Sequence, residues 1–305
     1  MTTLPGRLLT LEALQDLGLS PSTVTRAVRR GDLLRIRQGV YATPSWWRDL
    51  GAEGRLRQMH AALALRAASA PVFGHSSAAL LHGLDLLHRP AAPHVVSPPG
   101  HGSRNNRTCV HHWAELPPEH VVRVGGLLAT SVPRTVLDCA STLPLREAVV
   151  TADHALRRGT ERAELLALLE RRAGAPGCRR ARRMLDLADG RSESPGETLT
   201  RLVLLRARLP RPELQVRIRT PRGLYRGDFG WRAQRLLLEF DGDTEYYDHG
   251  PTDRVLVQER RREKDLANAG WRILRTDWAT VVHRPDDLVA LVRRELAARD
   301  RRIIE

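Results

Sequence analysis

Three acidic residues near the C-terminus, Asp228, Glu239 and Asp241, stand at the ends of two adjacent predicted strands, in Tyr225-Arg-Gly-Asp228-Phe-Gly-Trp231 and Arg235-Leu-Leu-Leu-Glu239-Phe-Asp241-Gly242. The period-2 alternation of a strand puts Leu237, Glu239 and Asp241 on one face and Leu238 and Phe240 on the other. Carboxylates crowded together repel one another and lose hydration, so the group must bind a cation or protonate. The expected chemistry is a hydrolytic divalent-metal site with Asp228, Glu239 and Asp241 as ligands. The alternative from the same residues is a turn at Asp241-Gly242 after a buried strand, with Asp228 and Glu239 solvated at its edge.

Ser194-Pro-Gly-Glu197 opens a predicted helix to about residue 208, with Ser194 as cap and Glu197 at the third helical position. Strands follow near Gln215, Asp228 and Leu238, then a helix over 253–269, a strand over 271–275 and a last helix after Pro285. Upstream, the six arginines between Arg171 and Arg183 have no acid among them and are interrupted by Gly174-Ala-Pro-Gly177. That segment reads as a loop or a fraying helix start, either gripping DNA phosphates or serving as a solvated connector.

The 305 residues carry a formal net charge of +14 and a pI of about 11.1, which points to a polyanionic partner, nucleic acid before acidic membrane. Lys264 is the only lysine. Arginine forks onto phosphates and guanine edges, although a GC-rich genome would produce the same bias. Cys109, Cys139 and Cys178 lie far apart without CxxC pairing, which argues against a zinc ribbon or disulfide framework and suits a reducing cytoplasm. With no apolar leader core and no membrane-length apolar run, the expectation is a cytoplasmic protein with no membrane partner.

The first fifty residues read as a winged helix-turn-helix that binds double-stranded DNA. Thr10 caps one short helix, Gly18-Leu19 makes the turn, and Ser20 with Pro21 starts a second helix to Arg30. Val24, Ala27 and Val28 form its apolar stripe, leaving Ser22, Thr23, Thr25, Arg26, Arg29 and Arg30 for phosphates and base edges. Leu33 to Ala42 form a hairpin turning at Gln38-Gly39, a wing that carries Arg35 and Arg37.

The middle of the chain alternates helical and strand-like pieces and ends in two predicted helices, over 133–141 and 145–158. Eight of the twelve histidines lie between His75 and His120, but adjacent His111 and His112 point to opposite faces of a strand and no pair has the helical spacing of a zinc site. Arg134 and Asp138 are an i,i+4 pair on a helix, read as structural before catalytic. The whole is an α/β protein, α+β overall, with expected domains 1–50, 51–170 and 193–305 and a basic linker over 171–192.

Gly39-Val-Tyr41, His75-Ser-Ser-Ala-Ala-Leu-Leu-His-Gly83 and Thr130-Ser-Val-Pro-Arg-Thr-Val-Leu-Asp138 resemble, in order, the signatures of AbiEi-type antitoxins. The resemblance implies a transcriptional regulator that binds its own promoter and pairs with a nucleotidyltransferase toxin. The C-terminal order of elements resembles the PD-(D/E)XK nuclease core. Ser194-Pro-Gly-Glu197, Glu239-Phe-Asp-Gly242 and Gly270-Trp-Arg-Ile-Leu-Arg275 look like its very-short-patch-repair-endonuclease branch. This implies Mg²⁺ or Mn²⁺ on Asp228 and Glu239 with Glu197 helping, a metal that polarises the scissile phosphate and supplies hydroxide, and His249 as general acid or base. The family has a lysine two residues after the acid, where this chain has Asp241. Arg260 or Lys264, one turn apart on the next helix, would return that positive charge. Without it the site grips DNA or protein and does not cut.

Overall fold

The computed structural model describes residues 6–100, 108–242 and 253–304. Among the described residues are thirteen α-helices and three sheets, a mixed α/β architecture. The chain divides into two compact units, one of residues up to Leu143 together with Glu164–Cys178, the other of Pro144–Ala163 with the residues from Arg179 on.

The first unit begins with the winged helix. Strand β1 (Leu9–Thr10) leads into α1 (Leu11–Asp16), where Thr10 Oγ1 accepts a hydrogen bond from Ala13 N at 3.2 Å. Helix α2 (Pro21–Arg30) is capped by Ser20 Oγ, which accepts from Thr23 N at 3.2 Å. It ends at Gly31, whose φ of 81° suits a residue without Cβ. The wing is the antiparallel pair β2 (Leu34–Arg37) and β3 (Val40–Ala42), turning through Gly39 at φ 74°, with β1 added on the other side of β3. Leu9, Leu14, Val24, Ala27 and Leu33 form its core.

After α3 (Pro44–Asp49) and α4 (Ala52–Arg66), the same unit builds a five-stranded mixed sheet from β4 (Val72–Phe73), β5 (His94–Ser97), β6 (Val110–Trp113), β7 (Val121–Val124) and β8 (Leu127–Thr130), in the order β6-β5-β4-β8-β7. The short Val72-Phe73 stretch, which reads in sequence as a break between helices, is therefore the central strand. Helix α5 (His75–His82) starts at Gly74, where a Cβ would lie 2.3 Å from Val96 Cγ2. Helix α6 (Val132–Thr142) packs beside it.

The division differs from the boundaries expected at 50, 170 and 192. Helix α7 (Leu145–Arg157) belongs to the second unit, because its buried Asp153 carboxylate needs Arg201, 2.6 Å away. Helix α8 (Arg162–Arg171) buries Leu165, Leu168 and Leu169. The arginine-rich stretch turns over 172–177 and then enters α9 (Cys178–Leu187), anchored by buried Ala181, Met184 and Leu185 with its arginines outward.

The second unit continues with α10 (Pro195–Arg206), β9 (Glu213–Thr220), β10 (Gly223–Trp231), β11 (Leu236–Phe240), α11 (Asp253–Asn268) and β12 (Arg272–Thr276), and closes with α12 (Trp278–His283) and α13 (Pro285–Ile304). The sheet order is β12-β11-β10-β9; only β11 and β12 run parallel, so a crossover must join them and α11 lies on it. Helix, three strands, helix, strand is the order read from the sequence. Val216, Ile218, Leu237 and Leu266 form a core beneath α11.

Candidate functional site

The register of β10 on β11 pairs Phe229 with Leu238, which places Asp228 and Glu239 one step further along the same ladder. Asp228 Oδ2 accepts a hydrogen bond from Phe240 N at 2.8 Å. Glu197 lies in the first turn of α10, where Oε1 accepts from Ser194 Oγ at 2.9 Å and Oε2 accepts from Glu193 N at 2.9 Å and Gln215 Nε2 at 2.8 Å. Gly196 beside it is required: a Cβ there would lie 2.1 Å from the Phe240 ring.

The cation on this cluster is neither Arg260 nor Lys264, both of which are exposed. It is Arg262, whose Nη2 holds Glu239 Oε1 and whose Nη1 lies 3.2 Å from Oε2. Arg262 Nη1 also donates to Glu259 at 3.0 Å, and Nη2 to Arg226 O at 3.2 Å. The physical reason is helical phase. Leu266 is buried in the core, and the residue one turn before it on the same stripe is Arg262. Asp241 stands apart from Glu239: its side chain is 58% exposed and its Oδ2 lies 3.7 Å from Arg275 Nε. Arg275 in turn pairs with Glu259 and Glu263 at 2.8 and 2.6 Å. Among the described residues no group of three or more His, Cys, Asp or Glu is arranged to hold a metal ion. His249 lies outside the described residues.

Burial pushes the Asp228 carboxyl up to about 6, opposed by the Phe240 N–H and reinforced by the Glu197 charge. Burial also raises Glu239, against the pull of Arg262. A divalent ion approaching Asp228 and Glu239 would have to displace Arg262 from Glu239.

On α2, Val24 and Ala27 are buried while Ser22, Thr25, Arg26, Arg29 and Arg30 are exposed and Thr23 is half-buried. The hydroxyls serve the helix start: Ser20 Oγ meets Ser22 Oγ and Thr23 Oγ1 at 2.9 Å, and Thr25 Oγ1 donates to Pro21 O at 2.9 Å. Arg30 pairs with Asp32 at 3.1 Å, Arg35 is exposed, and Arg37 Nη1 donates to Thr108 O at 3.3 Å. Arg26 and Arg29 are thus the outward cations of α2, Arg30 being drawn to Asp32.

Residues 6–44 match the family described as "Transcriptional regulator, AbiEi antitoxin". Over 271 residues the chain is 32% identical to the uncharacterized proteins MT2308 and Rv2248 of two Mycobacterium tuberculosis strains, a match that covers 88% of this chain and 94% of theirs. The chain belongs to their family. The crystal structure of the RV2827C protein from Mycobacterium tuberculosis is similar at 17% identity and a TM-score of 0.41, covering 70% of this chain and 84% of that one. The AbiEi match falls on the winged helix, so an AbiEi-type regulator domain stands at the N-terminus of this family member. No helix among the described residues is long and apolar enough to cross a membrane.

A second constellation was not legible as a site. His75, His94 and His112 come together: the His75 and His112 rings stack at 3.5 Å, and His94 Nδ1 lies 2.9 Å from His112 Nε2. Beside them Arg134 Nε donates to both oxygens of Asp138 at 3.0 and 2.9 Å, and Arg172 Nη1 donates to Oδ1 at 2.9 Å. The Arg134–Asp138 pair does join one turn of α6, as its spacing implies, but it also lines a cavity of about 750 Å³. The available signal was that two of the three motif segments read from the sequence, His75 to Gly83 and Thr130 to Asp138, carry polar residues that the fold buries.

Proposed function

We propose that this protein is a DNA-binding transcriptional regulator of the AbiEi antitoxin type, acting in the cytoplasm on double-stranded DNA at its own promoter. The carrying observation is α2: a helix with Val24 and Ala27 buried and Arg26 and Arg29 outward, inside the segment that matches the antitoxin family. The net charge of +14 supplies the non-specific attraction to phosphates. A nucleotidyltransferase toxin is the partner this reading implies. The nuclease-like second unit grips nucleic acid or protein without cutting, since Arg262 occupies Glu239 and Asp241 stands where the nuclease family has a lysine. The test is mobility shift of promoter DNA by the full chain, beside the double variant Arg26→Ala/Arg29→Ala. Loss of the shift in the variant supports the reading, and an unchanged shift removes it.

A second reading, a Mg²⁺- or Mn²⁺-dependent DNA endonuclease, is favoured by the raised Asp228 carboxyl beside Glu197 and Glu239. Asp228 and Glu239 would then be metal ligands, Glu197 would assist, Asp241 would have to turn away from Arg275 to join them, and Arg262, not Arg260 or Lys264, would be the cation. Incubation with supercoiled plasmid and either metal, beside Asp228→Ala and Glu239→Ala, separates the two. Nicking by the parent chain alone would establish the endonuclease.

A further inference from the structure

The cavity in the first unit has three properties that a structural ion pair does not require. The first is its charge. Arg134 and Asp138 are each 3% exposed at the side chain and Arg172 is 23% exposed, so two guanidiniums share one carboxylate in the floor. In the floor the guanidiniums outnumber the carboxylate by one, and the excess charge belongs to Arg172, which reaches the cavity opening. The histidines facing it do not alter the balance, because burial lowers His75 and His112 to about 3 and keeps both neutral. Glu115 and Glu119 stand at the exposed rim, as does Arg171, and Arg134 takes the backbone oxygen of Glu115, not its carboxylate, at 3.1 Å.

The second property is an exposed aromatic plane. Trp113 at the rim is 47% exposed, and its ring lies 26° from that of His111 with centroids 6.5 Å apart. A half-exposed aromatic ring at the edge of a concave surface offers a face on which a flat ligand can stack. The third is size. About 750 Å³ lies within the range of roughly 300–1,000 Å³ typical of small-molecule sites, too large for a lone anion.

The backbone supports a built site. His75 carries a φ of 51°, uncommon for a residue with a Cβ, and this conformation is held while its Nδ1 meets Thr142 Oγ1 at 3.2 Å and its ring stacks on His112. Behind it, Ser77 Oγ accepts from His94 N at 2.8 Å and donates to His60 Nε2 at 2.7 Å, and His60 Nδ1 donates to Leu56 O at 2.6 Å. These bonds tie the His75–Gly83 segment to α4 and β5 at the back of the cavity.

We propose that this cavity binds a nucleoside phosphate, its phosphate on Arg172 and Arg134 and its base against Trp113. Arginine forks match phosphate oxygens, the neutral histidines offer hydrogen bonds without competing charge, and the indole takes the base. The inference is independent of both DNA cleavage and promoter binding.

The test is isothermal titration of the full chain with adenosine and guanosine 5′-triphosphates, the two nucleosides and inorganic phosphate, at about 150 mM salt to screen the diffuse positive charge of the surface. The variants are Arg172→Gln, Trp113→Ala and Arg26→Ala/Arg29→Ala, the last carrying an intact cavity. The expected result is saturable binding of at least one nucleotide, tenfold or more weaker for both Arg172→Gln and Trp113→Ala and unchanged for the winged-helix variant. Trp113→Ala removes an exposed side chain, so it keeps the test decisive if Arg172→Gln does not fold. Phosphate binding as tightly as either nucleotide, no binding at millimolar concentration, or equal binding by the cavity variants and the parent would each overturn the proposal.

Discussion

The guanidinium of Arg262 covers both carboxylate oxygens of Glu239, a pair in which the acid side chain is 8% exposed and the arginine 21%. Removing one partner of such a pair strands a buried charge, whereas removing both leaves only lost packing. Arg262→Met should therefore cost about 2–4 kcal/mol, and Glu239→Gln/Arg262→Met much less than the sum of its two single changes. Urea denaturation of the four chains measures the coupling. Additive losses would mean that the pair is not a unit.

Asp228 links this cluster to pH. Its folded value of about 6 lies above the 3.8 of an unperturbed aspartate, so between those limits the folded chain binds more protons than the unfolded one. Stability of the second unit from this group is greatest at or below pH 4 and falls as pH rises through 6. Asp228→Asn keeps an oxygen for the Phe240 N–H and removes the charge. It should stabilise the chain at pH 7 by about 1–3 kcal/mol and flatten the pH dependence between 4 and 6. Thermal melts of both chains across that range check this, and a destabilised Asn variant would contradict it.

The local parts of the architecture were legible because local chemistry determines them. Thr10, Ser20 and Ser194 cap helices where their position before an apolar run says they should, and Gly31 and Gly39 sit at positive φ where the chain must turn. What failed depends on phase or on distance along the chain. Arg260 and Lys264 share one side of α11, but it is buried Leu266 that sets the inward stripe, and that stripe selects Arg262. Strand alternation separated His111 from His112 without revealing that His112 would meet His75 and His94, since β5 and β6 pair in parallel only after the sheet forms. The boundary at 170 missed that α7 carries Asp153, whose counter-charge Arg201 lies in α10.

The stacked histidines give the first unit the opposite pH response to Asp228. Burial lowers His75 and His112 to about 3 in the fold against 6.5 for an unperturbed imidazole, so in that interval the unfolded chain binds more protons. Their stabilising contribution is complete above pH 6.5 and is lost as pH falls toward 3. Because the two rings are stacked, their contributions to the slope are coupled, and protonating one disfavours protonating the other. His112→Gln should reduce the slope. Denaturant midpoints between pH 4 and 7 provide the measurement, and an unchanged slope in the variant would refute the assignment.

For the winged helix, the two outward arginines of α2 should behave differently from Arg30, which is drawn to Asp32 at 3.1 Å. Arg26→Ala and Arg29→Ala should each weaken promoter binding by about three- to tenfold at moderate salt and lower the slope of log K against log salt by about one, while Arg30→Ala costs less. Affinity measured across a salt series, on promoter and on scrambled DNA, separates the two roles an arginine can have. A loss equal on both DNAs assigns the residue to phosphate, and a loss confined to the promoter assigns it to a base edge. If neither variant changes affinity or salt slope, α2 does not lie on DNA, and the contact must come from elsewhere on this arginine-rich surface.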